Sequence, residues 1–180
     1  MTPRCLTPLL ALAVAVAAAD APAATPPEDE IPVAIAVPLG EQPVLRAHAD
    51  GVQIYVCTVS GGVAQWTLKA PDAELRDAKG RIIVHHSAGP TWKHQDGSEI
   101  TGKAVAHADA PDRRSIPWLL LAVVGHSGTG ALAHVTHVQR IHTHDGQAPA
   151  AAQCDAAKQG SETRVPYTAD YLFYAPVAHH

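Results

Sequence analysis

No cluster of Lys and Arg appears anywhere in the chain, whose 13 basic and 17 acidic residues leave a formal charge of −4. So weak an acidic balance offers no footprint for a phosphate backbone, and nucleic acid is not an expected partner. No apolar run reaches the roughly 20 residues that a membrane-spanning helix needs. The longest, Leu9 to Ala19, is too short, and no second apolar span follows it. No period of repeat length is visible. Cysteine is rare, with Cys5, Cys57 and Cys154 the three in the chain. Carboxylates are present but unpaired in pattern. Asp72, Glu74, Asp77, Asp96 and Glu99 all fall at expected turns, and no spacing among them fixes the separation a glycosidase requires.

What stands at the N-terminus has the form of an export signal. Arg4 is the only charge before the apolar run, and small residues follow it, with cleavage expected after Ala19 or Ala23. Residues 1–23 are thus expected to be a signal peptide, and the protein secreted or periplasmic, with no membrane span once the signal is removed. Residues 24–36, rich in Pro and carrying Glu28-Asp29-Glu30, read as a flexible leader. Residues 37–176 suit a single β domain by length, with 177–180 as a tail. Cys5 departs with the signal, leaving Cys57 and Cys154 in a compartment where disulfides persist. Pairing them closes a loop of roughly a hundred residues, worth on the order of 4–5 kcal/mol in the chain-entropy account.

The rest of the chain is a series of short β-rich runs broken by turn residues. Val44 to Ala49 ends at Asp50-Gly51, a hairpin signal. Val52 to Val59 alternates Val52, Ile54 and Val56 against Gln53, Tyr55 and Cys57, the period of a half-buried strand. Ala73 to Asp77 and Arg81 to His86 flank Lys79-Gly80, and Thr91 to His94 and Glu99 to Ala106 flank Asp96-Gly97-Ser98. Trp118 to Val124 precedes a glycine-rich bend, and Arg164 to Tyr174 closes the chain. Ala148 to Lys158 is the one weak helix candidate. The pattern predicts an all-β fold, an antiparallel β-sandwich or barrel of about eight to ten short strands.

Three groups of residues could carry chemistry. Histidine is abundant, with 12 in the chain. If Val135 to Thr143 is a strand, His142 and His144 share one face, as two ligands of a copper or zinc ion would, although no third ligand stands at a recognisable spacing. Gly128-Thr-Gly130-Ala-Leu-Ala133 after an apolar strand imitates a dinucleotide-binding turn. That turn requires a helix after it, and the β-branched run from Val135 onward predicts a strand over Leu132 to Thr143 instead. The third group is the loop from Ala88 to Ser98. Trp92 amid turn residues can meet a flat ligand while Asp96 hydrogen-bonds it, which predicts Trp92 at the rim of a pocket with His86 or His126 nearby. The alternative is that Trp92 plugs the end of the core and Asp96-Gly97 simply turns a hairpin.

Leu45-Arg-Ala-His48-Ala-Asp-Gly51-Val-Gln-Ile-Tyr-Val-Cys57, Trp66-Thr-Leu-Lys-Ala-Pro71, Ala88-Gly-Pro-Thr-Trp92, Ile116-Pro-Trp-Leu-Leu-Leu121 and Val165-Pro-Tyr-Thr-Ala-Asp-Tyr171 form an ordered set of motifs. With Ser127-Gly-Thr-Gly130, Val138-Gln-Arg140 and Cys154-Asp155, they resemble domain-of-unknown-function family 3455, a family of secreted bacterial and fungal proteins. The resemblance runs from about Val37 to Tyr174 and implies no particular activity. It implies histidines at His48, His86 and His126, while His134, His137, His142 and His144 fall outside the family pattern. The ligand-binding candidates are therefore His48, His86, Trp92, Asp96 and His126, and His142 with His144 form the metal alternative. Three functions stay open: binding of a small molecule or glycan, a histidine-dependent copper or zinc enzyme, and a structural or interaction protein without a small-molecule site.

Overall fold

The structure, a computed structural model, describes residues 30–178. Eight antiparallel strands follow one another in chain order around a closed barrel: β1 (Glu41–Ser60), β2 (Val63–Arg76), β3 (Ile82–Ser87), β4 (Thr91–His94), β5 (Glu99–Ala108), β6 (Trp118–Ser127), β7 (His137–Asp145) and β8 (Glu162–Pro176). β8 returns to β1 and pairs with it from Glu41↔Pro176 to Val56↔Glu162. That closure selects the barrel over the sandwich, because every strand has both neighbours in one ring. The expected signal peptide, and residues 24–29 of the expected leader, lie outside the described residues.

Side chains alternate between the barrel interior and its outer face. Leu75, Trp92, Leu121, Val138, Tyr171 and Phe173 belong to the interior cluster. Trp118, Leu120, Ile141 and Leu172, on the opposite faces of β6, β7 and β8, form a second cluster outside, capped by Ile35. Residues 30–36 therefore do not behave as a flexible leader. Val33–Ile35 makes a 3-10 turn, Ile35 is fully buried, and the Gln139 amide donates to the Ile35 carbonyl at 2.8 Å. Burying one isoleucine in this way contributes about 1.5–3 kcal/mol, enough to hold a short proline-flanked segment in place.

Two further sequence expectations change. Asp50-Gly51 does not reverse the chain; β1 runs straight through it, with Gly51 paired to Ala73 on one side and Tyr167 on the other. A Cβ at Gly51 would lie 2.4 Å from Ala73 Cβ and from the Asp72 carbonyl oxygen, so glycine serves close strand approach here. Ala148 to Lys158 forms two single 3-10 turns, Ala151–Gln153 and Ala156–Lys158, and no α-helix. Between them the Cys57–Cys154 disulfide, with a Cα–Cα distance of 5.4 Å, ties this loop to the end of β1. The strand expected over Leu132 to Thr143 begins at His137, after a turn at residues 131–134, and no helix follows the glycines.

The barrel wall is uneven. β1 has 20 residues and β4 only 4. β3 pairs with β2 only from Ala73 to Arg76, and β4 pairs with β5 only from Glu99 to Thr101. Residues 63–72 of β2 and 102–108 of β5 thus lack a strand partner on this side, although the Gly102 N–H donates to the Pro90 carbonyl at 2.9 Å. The gap also suits Pro71, a residue with no N–H to offer. A window opens between them beside the turn at residues 88–90.

Candidate functional site

The window leads to a cavity of about 360 Å³ that reaches into the barrel. Trp92 forms its floor, completely buried. Its cross-strand partner on β3 is His86, and the two rings stack with centroids 4.6 Å apart and planes within 5°. Tyr171 of β8 meets both rings edge-on, at 5.3 Å from His86 and 6.0 Å from Trp92. The indole fits because β5 carries Gly102 beneath it; a Cβ there would lie 2.8 Å from Trp92 Cζ3. Leu119, Leu121, Pro71 and Pro90 add apolar wall, and the exposed Leu68 and Ala104 stand at the mouth.

One polar lining residue, Lys69, is exposed and pairs with Glu162; the polar groups further in are buried, and several have no partner. Gln53 is 1% exposed, and neither Nε2 nor Oε1 of its amide is hydrogen-bonded. Arg140, 9% exposed, stands on β7 between Leu119 and Tyr171; its Nη2 donates to the Pro117 carbonyl at 2.8 Å, while Nε is buried without a partner. Trp92 Nε1 is likewise unpartnered. Each such group costs about 1–3 kcal/mol of desolvation that the fold does not recover. His86 differs: Nδ1 lies 2.9 Å from the Thr91 carbonyl, which can only accept, so Nδ1 carries the proton and Nε2 holds the lone pair of the neutral ring. Burial pulls its pKa from 6.5 down to about 3; the Thr91 bond opposes this, and the positive charge of Arg140 adds to it.

Of the five ligand-binding candidates, the barrel brings only His86 and Trp92 together, and it sets Trp92 at the floor of the cavity where the sequence predicts the rim. His48 is exposed on the outer face, its Nδ1 2.8 Å from Asp170. Asp96 fastens two loops: it accepts from the Ser98 hydroxyl at 2.6 Å, the Ala131 N–H at 2.8 Å and the Ser98 N–H at 2.9 Å. Those bonds, the Ser98 hydroxyl first, hold its carboxyl well below the usual carboxylate range. His126 lies on an exposed part of β6, with Nε2 2.7 Å from the Val135 carbonyl. His142 Nδ1 meets the second oxygen of Asp170 at 2.9 Å, and its ring sits edge-on to Trp118. His144 is exposed. The alternation assumed for this pair breaks where His142 takes a positive φ of 48° and the β7–β8 register shifts. Among the described residues, no three His, Cys, Asp or Glu side chains converge as a metal site would require.

Sequence reasoning missed Gln53 and Arg140. The signal was present in the alternation of β1, where the inward face is Gln53, Tyr55 and Cys57 and the half-buried outer face is Val52, Ile54 and Val56. A glutamine sharing a face with a disulfide cysteine is a buried glutamine.

A family model described as a protein of unknown function (DUF3455) matches residues 38–175. The chain belongs to that family. No curated protein and no solved structure matches it. The DUF3455 match begins just before β1 and ends within β8, so it covers every stave of the barrel and all the cavity residues named above.

Proposed function

We propose that this domain is an exported binding protein that holds one small organic molecule inside its barrel, admitted through the window between β2 and β5. The observation that carries the reading is that Gln53, Arg140 and Trp92, whose Nε2 and Oε1, Nε and Nε1 atoms respectively are buried and unpartnered, all line one cavity with apolar walls. A few convergent polar groups in an otherwise apolar pocket are what orients a ligand, and a barrel of eight strands has room for about one. A small molecule fits better than a glycan, because one face of Trp92 is covered by His86 and no open indole face remains for a sugar ring. Export is supported by Arg4, the apolar run from Leu9 to Ala19, and a disulfide suited to an oxidising compartment.

Ala104→Trp tests this reading, because Ala104 is exposed at the mouth and its replacement plugs the window without touching the core. Fragments that bind the unmodified protein, detected by ligand-observed NMR, are expected to lose at least tenfold in affinity. Stability should stay within about 0.5 kcal/mol, as for other surface changes. Hits that bind both proteins equally would contradict the cavity as the site.

A further inference from the structure

The geometry points to the charge of the ligand: we propose that the cavity takes a small organic carboxylate, with Arg140 as the group that meets it. This inference rests on the cavity reading above and adds a ligand class to it. Arg140 is permanently charged and nine-tenths buried. A cation so placed is costly unless an anion answers it. No Asp or Glu lines the cavity, and no ion pair among the described residues involves Arg140. The nearby phenols do not serve, since the Tyr167 and Tyr171 hydroxyls lie 3.3 Å from each other and burial pushes the Tyr167 phenol further from ionising.

The count of hydrogen-bonding groups agrees. Arg140 Nε, Trp92 Nε1 and Gln53 Nε2 are buried donors in want of acceptors, whereas Gln53 Oε1 and the His86 Nε2 lone pair are the two acceptors that line the same cavity without a partner. An ionised carboxyl group only accepts, with about four lone-pair sites, and its plane matches a guanidinium. The Gln53 and His86 acceptors call for a hydroxyl or N–H elsewhere on the ligand. Leu119, Leu121, Pro71 and Pro90 call for an apolar body between them. An inorganic anion would satisfy Arg140 and leave those walls empty.

Calorimetric titration at constant ionic strength with 4-hydroxybenzoate, 4-hydroxybenzamide and inorganic phosphate tests the assignment. The acid should bind the unmodified protein at least tenfold more tightly than its amide, and phosphate should not compete. In Arg140→Met that preference should vanish, while the ligand-free variant melts no lower than the unmodified protein, since an unanswered buried charge has been removed. Arg140→Gln provides the same comparison in a polar variant if the Met protein does not fold. Equal binding of acid and amide overturns the carboxylate and leaves the cavity reading intact. Binding of phosphate in place of the acid also overturns it, in favour of an inorganic anion. Absence of binding by both organic probes overturns the proposal, and the Ala104→Trp comparison then decides separately whether the cavity is a site at all.

Discussion

Replacing Trp92 with alanine is expected to cost about 3–5 kcal/mol of folding stability, the range for deleting a fully buried aromatic side chain. The position explains the size. Trp92 has no exposed surface, stacks on His86, meets Tyr171 and Phe173 edge-on, and rests against Gly102. Its removal joins the floor space to the existing cavity and leaves the His86 ring unsupported. Trp92→Phe keeps an apolar floor and should cost less, while deleting the Nε1 donor. Urea unfolding of the three proteins measures both effects. A loss below about 1 kcal/mol in Trp92→Ala would mean a tryptophan at the rim, as the loop sequence predicts, and not at the floor.

Acidification should destabilise the domain well above the range where carboxylates titrate. Folded, His86 stays neutral until the pH nears 3; unfolded, it takes up a proton below about 6.5. Between those values the unfolded chain binds more protons, so stability rises with pH and is lost as pH falls. The loss attributable to this one residue amounts to about 2 kcal/mol by pH 5 and about 4 kcal/mol by pH 3. His86→Asn retains a donor for the Thr91 carbonyl and removes the titration. Its unfolding free energy should therefore fall less than that of the unmodified protein between pH 7 and pH 5. Equal losses in both proteins over that interval would place His86 in a wetter site than the barrel interior.

How far the sequence carried depended on whether a local signal had one cause. Lys79-Gly80 and Asp96-Gly97 turn hairpins as expected, because glycines at φ 77° and 92° do what a tight reversal needs. Gly51 carries the same dipeptide signal for another reason, close contact with β2, and a single sequence cannot separate the two uses. The cysteine pair was legible because only Cys57 and Cys154 lie outside the N-terminal segment expected to be a signal peptide. Sandwich and barrel were not distinguishable, since the decision lies in β8 pairing with β1 across the whole length of the domain. At the site, Trp92 and His86 stood out by residue type and loop context. Gln53 and Arg140 did not, because polar residues in alternating strands read as solvent-facing, and only the closed ring turns that face inward. His48, Asp96 and His126 have the chemistry of site residues, yet the structure uses them for an outer hydrogen bond to Asp170, a loop clamp and a backbone contact.

The most direct measurement of the central claim is the indole N–H spectrum of the three tryptophans during titration with a fragment that binds the unmodified protein. All three indole Nε1 atoms are buried without a partner, but only Trp92 lines the cavity; Trp118 packs in the outer cluster and Trp66 stands outside the lining. With the Trp92 signal assigned by its disappearance in Trp92→Phe, that resonance alone should shift as the cavity fills, and it should stay still when the window is closed by Ala104→Trp. A titration in which Trp92 holds its position while the fragment binds, or in which Trp66 or Trp118 moves instead, would contradict the barrel interior as the binding site.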